Sequence, residues 1–287
     1  MDKRRMWRYV GVLLFVSIAA EILILHFYGL SNSTGKLMLG IVMLLPGIST
    51  VTYILITREG FRIINWKIKR PIYLLYAALI PALLSLLCMF SIIMFGLGSS
   101  THFTLANGVV NIKRGMFILG KGNQSPIFFF VNYMVTALVF SVVNGIPAFG
   151  EELGWRGFLQ KKLVNHYNIV PGIILLGLIW GFWHFPLIIS GYNYPEYPVL
   201  GAFLLFPLTT VFSSFFLAWL TIRSQSLWPA VLAHGCVNTF YGNVIGEMDF
   251  GSHRLAADLV ILIIWLITAV VSYLLLRKMR TTDAVTP

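Results

Sequence analysis

The sequence predicts an all-α fold, a polytopic membrane helix bundle of about eight transmembrane helices. Three observations carry this. Hydrophobic residues make up 58% of the 287 residues, and charged residues only 11%. A soluble domain carries about 25% charged residues, so this chain cannot cover a water-facing surface of its own size. Apolar stretches of about 20 residues, the length that crosses a bilayer as helix, recur along the whole chain. The mean hydropathy of +0.83 also excludes a disordered chain, which needs low hydrophobicity and high charge.

Eight segments are expected to be helical: 9–28, 37–57, 71–97, 126–149, 170–190, 199–222, 228–245 and 256–276. The first follows a basic start, MDKRRMWR, that resembles a signal peptide. Its apolar run continues past Glu21 to Tyr28 with no small-x-small site at Ala20, which favours an uncleaved helix. The fourth is expected to run on to Leu163, since 151–163 holds no proline. Residues 98–125, rich in Gly, Asn, Ser and Thr, read as the one long connection. No internal repeat is visible, and 1–287 reads as a single membrane domain with a motif-bearing core at 126–245. Cys88 and Cys236 both fall in apolar stretches, giving neither a metal pair nor a disulfide framework.

The net charge of +11 would suggest nucleic acid in a soluble protein. Here the cations track the ends of apolar segments, so the expected partners are the lipid bilayer and a membrane protein or peptide, with no nucleic acid. Lys and Arg accumulate on the cytoplasmic side of membrane proteins. With eight crossings and a cytoplasmic N-terminus, sixteen lie inside: Lys3, Arg4, Arg5, Arg8, Arg58, Arg62, Lys67, Lys69, Arg70, Arg156, Lys161, Lys162, Arg223, Arg277, Lys278 and Arg280. Five lie outside: Lys36, Lys113, Arg114, Lys121 and Arg254. Both termini are therefore expected in the cytoplasm, with the plasma membrane of a bacterium as the expected location.

Ionisable groups at membrane depth are costly and usually functional. Three clusters hold most of them: Gly150-Glu151-Glu152-Leu153-Gly154-Trp155-Arg156, Trp180-Gly181-Phe182-Trp183-His184-Phe185-Pro186, and His234-Gly235-Cys236-Val237-Asn238. Residues four apart share a helix face. Glu152 therefore stands beside Arg156 as a self-neutralising pair, while Glu151 points away, beside Trp155. Trp180 shares a face with His184, and His234 with Asn238. Such a set can activate water and stabilise an oxyanion. Each piece also has a plainer reading: an ion pair for Glu152 and Arg156, interhelical hydrogen bonds for His184 and His234, and packing for Trp180 and Trp183. Pro147 and Pro186 are expected to kink their helices. Glu21, deep in the first helix, is expected to bond to a neighbouring helix. Asp258 stands alone, His26 lies near an apolar segment, and His102, His166 and His253 fall in loops.

At these clusters the sequence resembles the CPBP family of intramembrane proteases, which includes type II CAAX prenyl endopeptidases and bacterial proteins linked to bacteriocin processing and self-immunity. EELGWR from Glu151 to Arg156, WGFWH from Trp180 to His184 and HGCVN from His234 to Asn238 match the family's three motifs in order and spacing, over about residues 126–245. The second motif begins with Trp180 where Phe is commoner. The resemblance implies peptide-bond hydrolysis in the membrane. Glu151, helped by His184, would activate water; His234 and Asn238 would stabilise the oxyanion; Glu152 and Arg156 would hold the first-motif helix. The family is also described as zinc-dependent, a metalloprotease. Glu151, His184 and His234 could hold zinc with a water as fourth ligand, but the His-Glu-x-x-His helix motif is absent. No cofactor is favoured, with divalent zinc as the alternative.

One geometric tension remains in this reading. If the fifth helix enters near Val170, His184 lies 14 residues in, about 21 Å at 1.5 Å per residue. His234 lies six residues beyond Trp228, about 9 Å. Tilt, the Pro186 kink or a later entry must reconcile these depths. Two other functions compete: a transporter or channel with membrane Glu and His groups as relays, and a non-catalytic immunity partner of the same fold. Intact Glu151, His184, His234 and Asn238 speak against the latter.

Overall fold

The computed structural model describes residues 1–277, with the side chain of Asn243 excepted; Lys278 and Arg280, counted above on the cytoplasmic side, lie outside the described residues. The elements follow the predicted order. They are α1 (Lys3–Tyr28), α2 (Ser33–Val42), α3 (Leu45–Thr57) and α4 (Ile72–Met94), then β1 (Phe103–Ala106), β2 (Val109–Ile112) and β3 (Gly122–Gln124). The second half holds α5 (Pro126–Glu152), a π-helical turn (Leu153–Leu159), α6 (Gln160–Tyr167), α7 (Ile169–Trp183) and α8 (Phe185–Ile189). It ends with α9 (Pro198–Leu200), a second π turn (Gly201–Leu205), α10 (Phe206–Ser224), α11 (Trp228–Phe240), a third π turn (Tyr241–Ile245) and α12 (Arg254–Arg277).

Six helical stretches among the described residues are long and apolar enough to cross a bilayer: Lys3–Tyr28, Ser33–Thr57, Ile72–Met94, Pro126–Tyr167, Pro198–Ser224 and Gly251–Arg277. The fifth and seventh predicted segments are helical but shorter, with α7 at 15 residues and α11 at 13. These two carry His184 and His234. Large apolar side chains face outward along the spans, Phe15 at 76% exposure and Ile127 at 80%, as expected where lipid is the solvent.

The connection 98–125 is not a plain loop. It forms a three-stranded antiparallel sheet in the order β1-β2-β3, with Phe103 opposite Ile112 and Val110 opposite Gln124. The β1–β2 turn is Asn107-Gly108, both at positive φ (50° and 73°), as a two-residue hairpin turn of type I′ requires.

Two compact units make up the chain: residues 1–70, 147–230 and 265 onward form the first, and 71–146 and 231–264 the second. In the first, α7 lies along α10 at backbone contact. A Cβ on Gly181 would fall 2.6 Å from Thr210 Oγ1 and 2.8 Å from Pro207 Cα. The start of α3 meets the end of α5 in the same way: a Cβ on Gly150 would stand 2.6 Å from Leu44 Cα, and one on Gly154 2.5 Å from Pro46 Cβ. Both are small-xxx-small approaches of the kind that pack membrane helices. Tyr9 of α1 closes this layer, bonding Thr50 at 2.7 Å and setting its ring edge-on to Phe158.

In the second unit, α11 packs on α5 at Gly235, where a Cβ would lie 2.5 Å from Gly145 N. Tyr133 stacks on Phe240 at 4.6 Å and shares a 2.6 Å hydrogen bond with Ser85. Asn144 donates to Thr239 at 2.7 Å, and the Cys236 thiol to the Ala78 carbonyl at 3.3 Å. Gly235→Ala therefore forces two backbones apart. Its melting temperature in detergent should fall by several degrees, the scale of a loss of about 1–3 kcal/mol from overpacking. Gly11→Ala, where no atom lies within 4 Å of the added Cβ, should leave it unchanged.

Candidate active site

Glu151 is 1% exposed, and a buried carboxylate needs donors. Two indoles supply them. Trp180 Nε1 donates to Glu151 Oε2 at 2.7 Å, and Trp155 Nε1 to the same oxygen at 3.4 Å. Neither indole engages Oε1. Trp155 is the expected i+4 neighbour. Trp180, read from sequence as packing, is the stronger donor and reaches Glu151 from a different helix. The correction has a physical reason: an indole carries an N–H that buried Trp satisfies when it can, and hydropathy counts only the ring.

Glu152 takes the other role. Its Oε1 accepts from Arg156 Nη1 at 2.8 Å with both side chains fully buried, and Arg156 Nη2 donates to Ser214 of α10 at 3.1 Å. The Arg156 guanidinium also lies 4.2 Å from the centre of the Trp180 ring. The ion pair is thus tied to the indole that holds Glu151. The π turn begins directly after the two glutamates, with Gln160 N bonding Trp155 O in place of the α-helical partner. Single π turns recur at functional sites.

The fifth predicted segment does not continue as one kinked helix. It stops at Trp183, His184 takes φ −83° and ψ 2°, and α8 starts at Phe185 with Pro186 second. Proline offers no N–H to the preceding turn, so the helix ends where the histidine stands. His184 Nδ1 lies 3.0 Å from the Trp180 carbonyl oxygen. A carbonyl only accepts, so Nδ1 bears the proton of the neutral ring and Nε2 the lone pair. The His184 ring packs edge-on against Trp183 at 4.6 Å and Phe206 at 4.9 Å. Glu151, Trp180 and His184 thus share one hydrogen-bonded chain within the first unit.

His234 and Asn238 lie on α11 in the second unit, His234 buried and Asn238 half-buried, one turn apart. Glu21 does not find the expected interhelical bond: it is fully buried, and neither carboxylate oxygen has a hydrogen-bond partner. Asp258, without a second membrane aspartate in the sequence, accepts from Arg254 Nε at 3.0 Å one turn earlier in α12. Tyr192, on the connection after α8, was not singled out from sequence. Desolvation raises its phenol above the usual range, and the charge of Glu151 adds to this. No pattern in the loop sequence marks that proximity. Among the described residues, no group of three or more His, Cys, Asp and Glu is gathered as a metal ion would require.

Comparisons with known proteins place this arrangement of motifs beside a known family. Residues 126–240 match the family model of Rce1-like type II CAAX prenyl endopeptidases, covering all three motifs. Over 256 residues the chain is 27% identical to CAAX prenyl protease 2 of Methanococcus maripaludis, spanning 81% of this chain and 84% of that protein. The chain is thus similar to Rce1-like proteins over residues 126–240. Together with the six apolar spans, this makes the chain an integral multi-pass membrane protein and supports an intramembrane protease.

The two glutamates should respond differently to amide substitution. Glu152→Gln leaves Arg156 buried without its counter-charge, which costs about 3–5 kcal/mol when a buried pair is broken; membrane level and melting temperature should both fall. Trp180→Phe keeps the ring under Arg156 but removes the indole donor. It should slow turnover about 10–100-fold while shifting the melting temperature by no more than about 1 kcal/mol of stability, the net worth of one hydrogen bond. Thermal melts and turnover on the same purified samples check both.

Proposed function

We propose that this protein is an intramembrane endopeptidase that hydrolyses peptide bonds of membrane-associated proteins or peptides, with C-terminal CAAX-type sequences as the substrate class that its relative's name points to. The observation that carries this reading is the buried Glu151 carboxylate, held on Oε2 by the Trp180 and Trp155 indoles. Glu151 takes a proton from a water that His184 Nε2 helps to orient. The water oxygen attacks the scissile carbonyl carbon. His234 and Asn238 donate to the resulting oxyanion. On collapse the C–N bond breaks, and the proton held by Glu151 passes to the leaving amine. The reaction is proposed to need no metal. The active site works from the cytoplasmic half of a bacterial plasma membrane, with both termini in the cytoplasm.

Glu151→Gln should abolish turnover with membrane level and melting temperature unchanged. Asn238→Ala should slow turnover by about 10²–10³, the usual effect of removing one oxyanion donor. Comparing membrane proteomes of cells carrying wild-type and Glu151→Ala protein should reveal cleaved peptides present only with the former; identical peptide sets would sink the protease reading. Stoichiometric zinc whose removal abolishes activity and whose return restores it would overturn the metal-free mechanism. Labelling of a cysteine placed near Lys161 by an impermeant thiol reagent in intact cells would overturn the orientation.

A further inference from the structure

Away from Glu151 and His184, the first unit holds a cavity. Its volume is about 330 Å³, the lower end of the range that takes a small molecule. It lies where α6, the start of α7 and the end of α10 meet the segment between α3 and α4, and its walls include Arg62, Lys69, Arg156, Lys161 and Lys162. Charge bookkeeping leaves it strongly positive. Lys162 is matched by Glu59 at 2.7 Å, and Arg156 by Glu152 at 2.8 Å. Lys69 donates to the Gln225 amide oxygen at 3.1 Å, and Lys161 to the Ile63 carbonyl and to Asn65. Arg62, Lys69 and Lys161 have no carboxylate partner among the described residues, so three cations line one cavity uncompensated.

Two further features indicate a ligand rather than a merely solvated basic face. Arg156 is 2% exposed and lines the cavity, yet its Nε–H has no partner. A buried guanidinium N–H without an acceptor is costly, and an anion would satisfy it. Trp66 and Trp228 adjoin the lining residues Asn65 and Leu227 in sequence, and the Trp228 indole donates to the Trp66 carbonyl at 2.7 Å; Trp is enriched at membrane–water interfaces.

We propose that this cavity is a binding site for a phosphate-bearing anion, taken from the headgroup of an anionic phospholipid. Arg62 and Lys69, both exposed at the rim, capture the phosphate, and Lys161 holds it deeper. The same guanidinium bonds Glu152 and stacks on Trp180, so occupancy also supports the scaffold behind Glu151.

The test is a binding measurement on the full-length protein and is independent of whether it is a protease. Melting temperature is followed in nanodiscs of phosphatidylcholine with increasing phosphatidylglycerol, and separately in detergent with added inorganic phosphate. Stabilisation in the first arm alone identifies the lipid headgroup as the ligand. Stabilisation by phosphate at similar concentration keeps the site but makes the free anion its ligand. Each cation near an anionic surface is worth about fivefold in binding, so the Arg62→Gln/Lys69→Gln double variant should bind about thirtyfold more weakly. Lys67→Gln removes a neighbouring charge that does not line the cavity and should stay within about twofold of wild type. Native affinity in the double variant, an equal loss in Lys67→Gln, or no stabilisation in either arm would overturn the proposal.

Discussion

The structure of the first unit turns on one requirement, that a carboxylate be kept at 1% exposure in a membrane protein. Transferring an ionised carboxylate out of water costs several kcal/mol even after relaxation, and here no cation sits on it. Two indole N–H groups carry the compensation, both on Oε2. Indoles are suited to this because they offer a donor without an acceptor or a charge, so they stabilise the carboxylate without neutralising it. A lysine in the same place would instead have paired with it as an ion. Glu152, one residue on, shows that alternative: bound to Arg156, it is a structural ion pair.

The motif glycines bring backbones together on either side of the Trp180–Glu151 bond. Gly150 and Gly154 let α3 touch the chain around the two glutamates, and Gly181 lets α7 touch α10 one residue after Trp180. Polar residues and close-packing glycines thus stand side by side in each motif. Irregular backbone appears at the same places. A π turn follows Glu152, and α7 ends at His184. Non-helical backbone at membrane depth is tolerated only where protein or a polar cavity satisfies it, and the Trp180 carbonyl bonding His184 Nδ1 is one such satisfaction.

Much of this was legible in the sequence because the rules that expose it are local. Apolar runs of fixed length gave the spans, and four-residue spacing gave Glu152–Arg156. Proline at 186 foretold a disturbance at His184. What was not legible depended on partners distant in sequence. Trp180 looked like packing because nothing local shows that its N–H reaches a carboxylate 29 residues earlier. Glu21 was assigned a hydrogen bond on the general rule that buried polar groups find one, and it breaks that rule. The hairpin in 98–125 was legible in principle, since Asn107-Gly108 between two apolar tetrapeptides is a strong turn signal. The glycine and asparagine content of the rest of the segment favours loop and masks it.

The two ends of Arg156 connect these observations. One face of its guanidinium lies over Trp180 at 4.2 Å, Nη1 and Nη2 are fixed by Glu152 and Ser214, and the residue also lines the basic cavity. A planar ion with five donors can hold three elements at once in a way a lysine cannot. The indole that donates to Glu151 is thus clamped from behind by a cation that is itself clamped. That arrangement gives the glutamate pair a division of labour with a physical basis. Glu151 accepts from two neutral indole donors, while Glu152 pairs with the guanidinium that stacks on one of those indoles.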